Sequence, residues 1–194
     1  MAKSNGRNGA SRTASVTFTV PGMQPEAAER VVALLGDRLL ALIDLSLTLK
    51  HIHWNVVGPH FIAVHEMLDP QHAAVSNMID DVAERIATLG GSPNGLPGHL
   101  VAARAWDDYA IGRDSAVTHL GALDQVYTGV ISSHREAIEQ VGELDPITED
   151  LLIGQAGELE QLHWFVRAHL ETVDGSLVTA GTATETGAAE AARR

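Results

Sequence analysis

The sequence contains no cysteine. That excludes a disulfide framework, a thiolate nucleophile and any Cys-bound zinc or iron–sulfur centre, and it fits a reducing compartment. Aromatic residues are scarce, with 3 Trp, 2 Tyr and 3 Phe in 194 residues, so the core has to be aliphatic. No apolar run is long enough to cross a bilayer; the strongest, residues 39–49, is interrupted by Asp44, Ser46 and Thr48. The N-terminal stretch MAKSNGRNGASRTAS has basic residues but no apolar segment behind them, which argues against a secretory signal. These absences lead to the expectation of a cytoplasmic protein.

Positive charge is also in short supply. The net charge is −12, which argues against plain nucleic-acid binding by the folded body. The imbalance is uneven. Residues 1–22 hold Lys3, Arg7 and Arg12 and no acid, a local +3 that leaves −15 for the rest. Residues 1–20 read as a flexible basic arm, because a Gly/Ser/Asn/Thr-rich segment buries too little apolar surface to offset its ordering entropy. Within it, Val16–Val20 alternates as a short extended piece, and Pro21-Gly22 marks a turn.

Helical periodicity dominates what remains. Leu35, Leu39, Leu42, Leu45 and Leu49 recur at steps of three and four, predicting a helix from Pro25 to about Trp54, with Val57-Gly58-Pro59 ending it. A second helix runs from about Phe61 to Leu89 on Ile62, Val64, Leu68, Val75, Ile79, Val82 and Ile86, with Pro70 loosening one turn. Residues 90–112 form a long connection with a short helix expected at residues 105–109. A third helix spans about Asp114 to Val141. A fourth starts at the N-cap pair Asp145-Pro146 and is closed by Gly175. Residues 21–174 are thus expected to form an all-α four-helix bundle, and residues 175–194 a flexible C-terminal tail.

Five residues on the first two helices have the chemistry of a metal site. His53 lies near the end of the first helix, and His65/Asp69 and Asp80/Glu84 are pairs four apart on the second. Residues four apart share a helical face. Asp69 and Asp80 are separated by eleven residues, or roughly 16 Å of helix at ~1.5 Å per residue, too far to share one ion. Eleven residues is nonetheless close to three turns, so both pairs lie on nearly one face. Two antiparallel copies related by a two-fold axis would bring His65/Asp69 of one opposite Asp80/Glu84 of the other. Imidazole with carboxylate suits Fe(II), Mn(II) or Zn. A His–Asp pair four apart is also an ordinary helical ion pair, and spacing alone leaves both readings open.

The runs KHIHWNVVG (residues 50–58), FIAVHEMLD (61–69) and DDVAER (80–85) resemble, in order and spacing, the signature of the Dps family, the DNA-binding proteins from starved cells or mini-ferritins. The resemblance implies a ferritin-like four-helix bundle with a short helix in the long middle connection, assembled as a hollow dodecamer. It implies that His53, His65, Asp69, Asp80 and Glu84 are ferroxidase ligands at two-fold dimer interfaces. It also implies oxidation of Fe(II), preferentially by hydrogen peroxide, with storage of ferric mineral and protection of DNA. Trp54 then has two readings, a core or interface aromatic or an oxidisable neighbour that supplies electrons. His51 points to another face. Glu160 and His163 are read as surface or packing residues rather than as half of a within-bundle Glu-x-x-His pair. Glu143, Asp145, Glu149 and Asp150 are candidates for a cation pore. Lys3, Arg7 and Arg12, multiplied over many subunits, are the candidate contacts to DNA and to the nucleoid. Two other classes stay open: a metal-dependent hydrolase on the same His/carboxylate site, and a DNA-compacting nucleoid protein.

Overall fold

A computed structural model of the chain describes residues 16–193. Four long helices carry the fold: α1 (Pro25–Asn55), α2 (Phe61–Thr88), α4 (Ala116–Gly142) and α5 (Pro146–Ala168), with the short α3 (Pro97–Ala103) in the middle connection and α6 (Glu185–Ala192) near the C-terminus. The starts follow local chemistry. Pro25 and Pro146 occupy first helical positions, where the missing N–H costs nothing. Ser115 and Asp145 accept a hydrogen bond from the Thr118 and Thr148 amides, satisfying orphan donors of α4 and α5. α2 continues through Pro70.

α1 packs along α2 and α4 along α5, and α1 against α4 joins the two hairpins. One aliphatic core results. All five leucines that define the first stripe are buried, as are Leu120, Leu123, Tyr127, Leu152, Leu159, Leu162 and Val166. Ile62 departs from expectation: it is 57% exposed, because the first turn of α2 turns it outward. A two-residue parallel pairing, β1 (Val56–Val57) with β2 (Asp114–Ser115), ties the end of α1 to the start of α4. Among the described residues, no helix is long and apolar enough to cross a membrane.

Four sequence expectations are corrected. The short helix lies at Pro97–Ala103, not at residues 105–109; Pro97 supplies the first helical position, whereas Arg104 and Trp106 are drawn off to hydrogen-bond Asp44. α5 ends at Ala168 rather than running towards Gly175. Asp174 accepts from the Ser176 amide, and Gly175 adopts φ +81° in the turn that reverses the chain. The segment read as a flexible C-terminal tail contains α6, whose Ala188 and Ala189 are buried against α4. The basic arm is likewise tied down at its end: Val16 is buried, and its amide donates to Glu29 Oε1 at 3.0 Å. Gly90, at φ +86°, lets this segment pass, since a Cβ there would stand 2.0 Å from the Phe18 carbonyl oxygen.

Candidate metal centre

The turn between α1 and α2 is what brings the candidate ligands together. Val56 and Val57 are held by β2, and Gly58 adopts φ +95°, so the chain reverses within five residues and returns His65 alongside His53. The imidazoles meet with Nε2 to Nε2 at 3.1 Å. His65 Nδ1–H donates to the His53 carbonyl oxygen at 2.9 Å. That bond assigns the tautomer and leaves His65 Nε2 unprotonated, as metal-binding imidazoles require. His53 Nε2–H then donates to His65 Nε2, and His53 Nδ1 accepts from Lys50 Nζ at 3.2 Å. One consistent set of protons satisfies the cluster.

Asp69 joins the same cluster. Its Oδ1 lies 2.9 Å from Lys50 Nζ and 3.5 Å from His53 Nδ1. The Lys50 hydrogen bond, with the Lys50 charge, holds the Asp69 carboxyl below the usual carboxylate range. Burial, and next the Lys50 charge, push the His53 imidazole below its ordinary value. A neutral imidazole and an ionised carboxylate are the forms that bind a metal. Lys50 is the partner that motif reading missed; its position three residues before His53 on α1 was the available signal.

The structure does not bring all five residues together within one chain. Asp80 and Glu84 are exposed farther along α2, and among the described residues no group of three or more His, Asp or Glu side chains is arranged to hold an ion within one chain. Trp54 is 72% exposed, which removes the core reading and leaves a solvent or interface position. His51 turns away from the cluster, donating from Nε2 to the Ile111 carbonyl oxygen at 2.8 Å.

The other acidic and His candidates separate in the same way. Glu160 pairs with Arg135 at the surface, while His163 is buried and its Nε2 lies 2.6 Å from Asp124 Oδ1. Asp124 also accepts from Arg167 Nε and Thr179 Oγ1, and this buried network was not anticipated. Asp145 is buried between Arg85 Nη2, at 2.6 Å, and the start of α5, so it is not free to line a pore; Glu143 and Asp150 are exposed. Lys3, Arg7 and Arg12 lie outside the described residues.

Known proteins carry the same framework. The Ferritin-like domain family model matches residues 32–176. The DNA protection during starvation protein of Mycolicibacterium smegmatis is 55% identical over 92% of this chain and 97% of its own length. The solved structure of DpsA14 from Streptomyces coelicolor is 64% identical, with a TM-score of 0.83 over 84% of this chain and 97% of that one. That of Mycobacterium smegmatis Dps is 54% identical, with a TM-score of 0.85 over 86% and 95%. With its bundle, its cluster at the α1–α2 turn and these relatives, the chain belongs to the Dps family of ferritin-like proteins.

Proposed function

We propose that this protein is a ferroxidase and iron-storage protein whose catalytic sites are completed between two chains. The observation that carries the reading is the convergence of His53, His65 and Asp69 at one end of α2, with Asp80 and Glu84 exposed on nearly the same face about three turns on. Antiparallel pairing of two such faces makes two equivalent centres, each with imidazole and carboxylate ligands from both protomers. Carboxylates stabilise the rising charge as Fe(II) becomes Fe(III).

Iron and hydrogen peroxide are the substrates. Two Fe(II) each lose one electron, one peroxide takes both, its O–O bond breaks, and hydrolysis of the ferric product as oxyhydroxide releases protons. A hollow dodecamer then holds the mineral. Removing Fe(II) and peroxide together denies the cell the reagents of hydroxyl-radical chemistry and so protects DNA. The acidic body supplies a favourable field for cations. Exposed Trp54, next to His53, is positioned to give an electron when only one iron is bound.

The test mixes anaerobic Fe(II)-loaded protein with peroxide and follows ferric absorbance. Asp69→Ala and Glu84→Ala should each slow the reaction by about 10- to 100-fold with unchanged helicity by circular dichroism. Wild-type rates in both variants would refute the site.

A further inference from the structure

After α5 the chain folds back on the bundle. Thr179 Oγ1 donates to the buried Asp124 Oδ2 at 2.7 Å, and α6 then lies against α4. The contact is made by small groups. A Cβ on Gly121 would stand 2.6 Å from the Ala188 carbonyl oxygen and 2.8 Å from the Ala192 Cβ, so α6 sits close enough for Ala188 and Ala189 to be buried. Past its last turn, Arg193 pairs with Asp114, and its Nε donates to Thr118 Oγ1 at 3.2 Å. A short helix held by a few alanines has little dispersion energy to spare. A charge buried against like charges opposes such docking.

Such a charge stands in its first turn. Glu185 borders a cavity of about 280 Å³ between α1, α4 and the middle connection. Facing it are Asp44 of α1 and Asp107 of the connection. The cation in reach is Arg104, already engaged by Asp44 and Asp108. Arg38 of α1 also lines the cavity but is bound to Ser133, and the α4 wall contributes no titratable group. Tyr109 remains a neutral phenol, its pKa pushed well up by burial. On α6 itself, Glu190 is exposed and the following Arg193 is taken by Asp114.

We infer that the C-terminal helix is a pH-sensitive latch, in which α6 docks while the Glu185 carboxyl is protonated and loosens when it ionises against Asp44 and Asp107. Burial first, and then the charges of Asp44 and Asp107, raise the Glu185 pKa to about 7 from an ordinary 4.5. The docked state therefore holds its proton more tightly than the released state. Below pH 4.5 both states are protonated and docking is at its strongest. Between 4.5 and 7 each rise in pH favours release, and above 7 the dependence ends. Release uncovers the cavity and the Gly121 face of α4, and frees Arg193 from Asp114.

Hydrogen exchange on the full-length, assembled protein from pH 5 to 8.5, corrected for intrinsic rates, tests the latch without reference to iron. Protection of the α6 amides should fall up to about tenfold per pH unit towards pH 7 and then level off. Glu185→Gln should stay protected throughout, Asp107→Asn should move the midpoint down, and Glu190→Gln should keep the wild-type slope. The inference is overturned by pH-independent protection in the wild type, by a wild-type slope or absent protection in Glu185→Gln, by an unmoved midpoint in Asp107→Asn, or by a lost slope in Glu190→Gln.

Discussion

Lys50 Nζ stands 2.9 Å from Asp69 Oδ1 and, through the same ammonium, 3.2 Å from His53 Nδ1. The Lys50 ammonium thus bridges two of the three residues of the proposed half-site, His53 and Asp69. At the proposed metal site an incoming divalent ion would have to displace that ammonium from Asp69 and coexist with its charge. Lys50→Met keeps an unbranched side chain of nearly the same length and removes the charge. It should bind Co(II), as a redox-silent stand-in for Fe(II), a few-fold more tightly by calorimetry, and with less salt dependence. Equal or weaker affinity would mean that Lys50 does not compete with the ion.

Sharing a site between two chains makes a sharper prediction than loss of activity. Each two-fold dimer would hold two centres, each using Asp69 of one protomer and Glu84 of the other. Asp69→Ala and Glu84→Ala assemblies should each be slow. Co-expressed and randomly mixed, half of the dimers are heterodimers, and in those one centre of the two is intact. Peroxide-driven oxidation should recover to about a quarter of the wild-type site number. If all ligands belonged to one chain, mixing would restore nothing.

Asp145 supports the fold rather than a pore. It caps α5 and pairs with Arg85 in a largely buried setting. Burial raises the pKa of its carboxyl, but hydrogen bonds from Thr148 and Arg85 prevail and hold it below the ordinary 3.8. A carboxyl with a lowered folded-state pKa contributes stability that is present above pH 3.8 and lost as pH falls through the lowered value. Asp145→Ala, which leaves Arg85 without its partner, should cost about 3 kcal/mol in denaturant unfolding at pH 7. Asp145→Asn, which can still cap, should cost less, and both deficits should shrink below pH 4. A deficit independent of pH would point to packing instead of charge.

The four long helices were legible because aliphatic residues recur at helical spacing, with Pro25 and Asp145-Pro146 marking two of the starts, a local signal that packing did not override. The site was legible in part. Spacing places His65 one turn from Asp69, but the His53–His65 contact depends on a five-residue reversal held by the β1–β2 pairing and a positive-φ glycine. No motif encodes that geometry directly. The Lys50 bridge and the Asp124 network were hidden for the same reason: Asp124 draws its donors from His163, Arg167 and Thr179, up to fifty-five residues away. α6 was missed because ATETGAAEAARR carries no large apolar stripe. Its burial rests on a glycine in another helix.

That glycine gives a direct way to separate α6 from the bundle. Gly121 lies inside α4, where a larger residue favours the helix by up to about 1 kcal/mol. A Cβ there collides with the Ala188 backbone, which no side-chain rotation relieves. Gly121→Leu should therefore keep α4 and the core intact while expelling α6. The expected readouts are lost amide protection over Glu185–Ala192, a circular dichroism loss no larger than those 8 residues can account for, and an unfolding midpoint close to that of the wild type. Protection that survives in Gly121→Leu would show that α6 does not dock through this contact. A loss spreading into α4 and α5 would show that the helix, far from being an appendage, is part of what holds the bundle closed.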